Sequence, residues 1–124
     1  MKFTEVLLDD KVYKVSLTVV VCADIAQWNQ SLDEMGYTGD RGSAAADARY
    51  YRLTPDNSKM KHDTSVIFLR TKKMGPLVHE LAHFVFNVFG DRGVEVRIEN
   101  DEAFAYYLEY WTNGVLDAWR KQNA

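Results

Sequence analysis

Near its start the chain carries two stretches with the hydrophobic pattern of strands. Phe3 to Leu8 and Val12 to Cys22 are rich in Val, Leu and Tyr, and Asp9-Asp10-Lys11 between them predicts a hairpin turn. The second stretch begins by alternation, with Tyr13, Val15 and Leu17 on one face and Val12, Lys14 and Ser16 on the other. It ends in the apolar run Val19-Val20-Val21, which predicts burial on both faces. Asp24 is placed to cap a helix to about Met35, with Ile25, Trp28, Leu32 and Met35 on one side and Gly36 to stop it. Residues 36–47 carry three Gly and three consecutive Ala and read as a loop. Ala48 to Leu53 is a strand, Pro55 to Asp63 is turn-like, and Thr64 to Arg70 is a second strand.

Helical spacing dominates the second half. Gly75-Pro76 opens a helix that runs to Phe89 and stops at Gly90, with Pro at its favoured first position. This helix is apolar on most sides, the pattern of a buried one. A connector over 90–98 holds a short strand, Val94 to Ile98. Asn100 then caps a last helix with Asp101 and Glu102 in its first turn. Asn113-Gly114 breaks that helix before it resumes towards Trp119. No repeat, low-complexity tract or linker divides the chain, so residues 1–124 are expected to form one α+β domain.

Composition narrows the setting. Hydrophobic residues make up 47% and charged residues 27%, the balance of a globular protein. The net charge of −3 and a pI of about 5.6 give a phosphate backbone no reason to bind, so no nucleic-acid partner is expected. Cys22 is the only cysteine, which rules out an internal disulfide. The start, Met1-Lys2-Phe3-Thr4-Glu5, lacks the apolar core of a signal peptide, and the apolar stretch from Val19 to Ala23 is too short to span a bilayer. A cytoplasmic setting without membrane association is the expectation.

The chemistry concentrates in one helix. His79-Glu80-Leu81-Ala82-His83 is an HExxH pattern, expected by chance in only roughly a few chains per thousand of this length. Residues four apart share a helix face, so both imidazoles can reach one Zn²⁺, with Glu80 beside them as general base for its water. Titratable groups inside an apolar helix need a partner, and a metal supplies one. A catalytic zinc usually takes a third protein ligand. The extended metzincin pattern would need Gly and His where Phe86 and Phe89 stand, and His62 lies upstream of the motif. A carboxylate on the following helix is the better candidate. Glu102 lies 19 residues beyond His83 (102 − 83), among small residues, with Glu99 and Asp101 as substitutes. Asp101 could instead orient a ligand histidine.

Over residues 64–112 the order strand, HExxH helix, connector, glutamate helix resembles the gluzincin metallopeptidases, in a minimal, minigluzincin-like form. The resemblance implies His79, His83 and Glu102 as zinc ligands and Glu80 as base. It implies a zincin-like domain in which a mostly antiparallel sheet packs on the active-site helix and the glutamate helix. The strand before the motif would be the edge strand that pairs with an extended peptide. The implied activity is peptide-bond hydrolysis by a metal-activated water, on a peptide or protein substrate. Tyr106, one turn after Glu102, is the leading oxyanion stabiliser, with Tyr107, Tyr110 and His62 as alternatives. Two other readings compete. One is an inactive zincin-like metal-binding or interaction module. The other is a metal-free interaction protein whose last helix (Phe104, Tyr107, Tyr110, Trp111) packs a partner. The loop 36–47 is a candidate for selectivity, and the tail from Asp117 for a segment folding across the cleft.

Overall fold

The computed structural model describes residues 4–10, 13–43 and 45–123. In chain order these form β1 (Thr4–Asp10), β2 (Val15–Val21), α1 (Ile25–Glu34), β3 (Ala48–Leu53), β4 (Thr64–Leu69), α2 (Met74–Asp91) and α3 (Asp101–Gln122), with a short 3₁₀ turn (Ile98–Asn100) before α3. The sheet order is β1-β2-β4-β3. β1 pairs antiparallel with β2 and β3 antiparallel with β4, while the central β2–β4 pairing is parallel. The fold is therefore α+β on a mixed sheet, antiparallel in two of its three pairings.

Alternation along the strands assigns the two faces. Leu17 and Val19 of β2 and Ile67 and Leu69 of β4 join one core with α2 and α3. Val20, Val66 and Phe68 point the other way and bury Trp28 and Leu32 of α1. Asp24 caps α1 as expected, accepting from the Gln27 N–H at 2.9 Å. The 36–43 segment belongs to this α1 layer. Asn29 Oδ1 accepts from the Gly42 N–H, and a Cβ at Gly42 would come within 2.7 Å of Trp28.

Several boundaries differ from expectation. Asp9 and Asp10 lie within β1 and pair with Ser16 and Val15, so the strand outruns the expected turn; Lys11 and Val12 lie outside the described residues, as does Phe3. α2 continues through Gly90 to Asp91 and is closed off by Gly93, whose φ of +70° suits glycine, while the Val94 N–H closes onto the Phe89 carbonyl at 2.8 Å. Pro76 sits in the third helical position, where its missing N–H still has no intrahelical partner to lose. No strand forms at 94–98. α3 runs unbroken through Asn113-Gly114, because Trp111, Val115 and Trp119 at four-residue spacing are all buried. That burial outweighs the ~1 kcal/mol cost of a helical glycine. The Asn100 side chain, the expected cap, lies outside the described residues.

Helix side chains reach both sheet edges, two carbonyls on β1 and one amide on β3. On β1, the Glu5 and Asp9 carbonyls accept from Gln122 Nε2 and the Tyr110 hydroxyl of α3. On β3, the Tyr50 N–H donates to Glu80 Oε1 at 2.7 Å. The strand before the motif helix, β4, is thus central, and the edge beside the motif is β3.

Burial makes one measurable difference to pH dependence. It pushes the buried Cys22 thiol from 9.0 up to about 11, helped by Asp24, and raises the Tyr50, Tyr51 and Tyr107 phenols. Each group is more easily deprotonated in the unfolded chain. The Cys22 contribution is therefore complete below about pH 9 and lost as pH rises through 11, and that of the tyrosines begins to fall only above their ordinary value of 10.0. Urea midpoints should be insensitive to these groups at neutral pH and fall steadily above pH 9. A midpoint unchanged at pH 10.5 would contradict this.

Candidate metal centre

α2 positions the motif by its two faces. Leu77, Leu81, Phe84, Val85, Val88 and Phe89 are buried against the sheet and α3. Turned outward are His79, with its side chain 69% exposed, and His83 and Phe86, also exposed. The helix is therefore amphipathic and not buried all round, because it is covered only on the sheet and α3 side. The expectation that three titratable groups lie in the core holds only for Glu80, which is 7% exposed.

The two imidazoles stand together, with ring centroids 5.0 Å apart and planes at 77°. Glu80 lies next to them. Its Oε1 takes the Tyr50 N–H, and its Oε2 is 3.7 Å from His79 Nε2, beyond hydrogen-bond distance. The carboxylate is thus fixed by one oxygen and keeps the other uncommitted to that ring.

A cleft of about 450 Å³ opens beside this group, lined by Arg49, Tyr50, Glu80, His83, Phe86 and Asn87. One wall is the outer edge of β3. The other is α2, where His83 and Asn87 line the cleft within a polar row, His79, His83, Asn87 and Asp91, at four-residue spacing. Asn87 was recoverable from that spacing in the sequence. Arg49 and Tyr50 were not, since their place depends on which strand ends at the sheet edge. Burial raises the Tyr50 phenol, which therefore stays protonated, with its hydroxyl 3.0 Å from that of Ser65.

The other expected site residues lie elsewhere. Phe104 is where α3 meets α2, with its ring 4.5 Å from Phe86 and 6.1 Å from Phe89. Glu102 and Tyr106 are each two positions from Phe104, about 200° round the helix, and so face away from that contact. Both are exposed, Tyr106 to 66%. Glu99 and Asp101 are exposed as well. Among the described residues, no group of three His, Cys, Asp or Glu side chains is gathered to hold an ion. The histidine pair suits a zinc-like ion in chemistry and spacing, and a third protein donor does not converge on it.

The alternative tyrosines are committed to the fold. The Tyr107 hydroxyl donates to Asp10 at 2.6 Å and that of Tyr110 to the Asp9 carbonyl at 3.1 Å. Of the four last-helix aromatics expected to pack a partner, Phe104, Tyr107 and Trp111 pack within the chain, while Tyr110 is 51% exposed. The tail from Asp117 follows β1, the edge farthest from the cleft, with Trp119 in the core; Ala124 lies outside the described residues. It does not cross the site. Among the described residues, no helix is long and apolar enough to cross a membrane. In comparisons with known proteins, no family model, curated protein or solved structure matches this chain.

Proposed function

We propose that this chain is a zinc-dependent peptidase of the HExxH type, with Glu80 as its general base. The observation that supports it best is the setting of Glu80. It is buried, anchored by one oxygen to the amide of an edge strand, adjacent to the histidine pair, and on the wall of an open cleft that His83 also lines. A zinc ion held by His79 and His83 would supply Lewis acidity and a water of lowered pKa. Glu80 Oε2 takes the proton of the attacking water and returns it to the leaving amine. The Tyr50 amide keeps the carboxylate oriented through both transfers. Among the described residues β3 has no strand partner on its outer side, and apart from the Tyr50 amide that Glu80 takes, that edge is open for an extended peptide to pair with.

A second reading rests on the position of Glu102. With only two histidines converging, the same site suits a metal-binding or interaction module without turnover. Metal analysis together with cleavage of a peptide library separates the two. The peptidase reading expects about one zinc per chain and cleavage products that disappear on chelation. Zinc without cleavage leaves the module, and protein purified without chelators that carries no metal overturns the peptidase and the metal-binding module alike.

A further inference from the structure

Past Tyr50 and Asn87 the cleft leads into a second hollow of about 310 Å³, and both residues line the two spaces. We propose that this hollow is an anion subsite that receives a carboxylate of the bound peptide, resting on the peptidase reading only in naming a peptide as the ligand. Its volume is at the small end for ligand pockets (~300–1,000 Å³), enough for one side chain or one chain end.

The charges around it are unequal. Lys14, Arg52 and Arg92 line it against Asp63 and Asp91. Arg52 is held between both acids, at 2.7 Å from Asp63 and 3.1 Å from Asp91. Both carboxylates are thus spent on one guanidinium. Among the described residues no carboxylate pairs with Lys14 or Arg92, so two cations flank one hollow of a chain whose net charge is −3. The Tyr50 and Ser65 hydroxyls, bonded to each other, leave one neutral O–H donor on its wall.

The cations are also held in place. Lys14 has φ +55°, and no other non-glycine among the described residues has a positive φ. Lys14 closes the hairpin just before β2, where one left-handed residue is ordinary turn geometry. Arg92 Nη2 donates to the carbonyl of Tyr13, tying the turn that carries Lys14 to the end of α2. One guanidinium thus lines the hollow and braces the second cation beside it.

The carboxylate has two possible sources, a free peptide C-terminus or an Asp or Glu side chain. Four N-acetylated peptides of equal length separate them: C-terminal acid with Gln, amide with Glu, acid with Glu, and amide with Gln. Binding is read as amide ¹⁵N shifts of the intact protein. At least one acid-bearing peptide should bind about 10-fold more tightly than the amide–Gln peptide, with shifts at Ser16, Ser65 and Asn87. Lys14→Gly should erase that preference while keeping the turn, because glycine adopts this φ without strain. Lys14→Asn, which also tolerates the left-handed region, should behave alike. Equal binding of all four peptides overturns the subsite, as does a preference that survives both substitutions. Binding that follows charge without any cleavage keeps the subsite and removes the peptidase reading. Cleavage indifferent to charge does the reverse.

Discussion

Glu80→Gln should lower peptide cleavage by about 10²–10⁴-fold, the usual contribution of a general base, while zinc content and folding persist. The substitution isolates one role, because Glu80 has two. Its Oε1 accepts from the Tyr50 N–H, and glutamine keeps an oxygen there. Its Oε2 is the proposed proton acceptor, and an amide cannot serve. Glu80→Ala removes both. It leaves a backbone donor at the sheet edge without its acceptor, at a cost of about 1–3 kcal/mol. Comparing the two therefore separates chemistry from scaffolding. If Glu80→Gln cleaves peptides at the original rate, Glu80 is a staple between α2 and β3 and nothing more.

That dual role also shows what could be read from the sequence. The histidine pair and Glu80 were legible because helical spacing alone puts positions 79 and 83 on one face. The strands at 48–53 and 64–69 were legible from β-branched and aromatic runs. Their order was not. Which strand sits at the edge depends on the parallel β2–β4 pairing, and no residue of β4 announces that it will be central. The same gap hid Tyr50, whose amide anchors the proposed base.

Glu102 shows a different limit. Sequence distance brings it near the motif along the chain, but the rotational phase of α3 decides where it points. Phe104 sets that phase by packing on Phe86 and Phe89. Residues 94–98 failed for a third reason. Val94, Val96 and Ile98 alternate with Glu95, Arg97 and Glu99 as a strand would, yet a strand needs a vacant edge. Here α3 occupies the β1 edge, and the Val94 N–H is drawn onto the Phe89 carbonyl at the end of α2, away from the sheet.

The amphipathic character of α2 predicts unequal consequences for two phenylalanines only two positions apart. Phe84 is 1% exposed and stands at the junction of three elements, with ring contacts to Tyr50 of β3 at 6.0 Å and Trp111 of α3 at 4.9 Å. Phe84→Ala should cost about 3–5 kcal/mol through lost burial and the cavity left behind. A domain of this kind has only about 5–15 kcal/mol in total, so Tm should fall by roughly 10–20 °C. Phe86 is 52% exposed, with Phe104 as its nearest ring contact, and Phe86→Ala should cost about 1 kcal/mol. Thermal melts of the two variants test the assignment directly. Similar losses would mean that α2 is buried on both faces, as its composition alone suggests. The histidines would then lie in the core and not on the wall of an open cleft. A large loss at 84 with a small one at 86 fixes the phase of the helix, and with it the outward direction of His79 and His83.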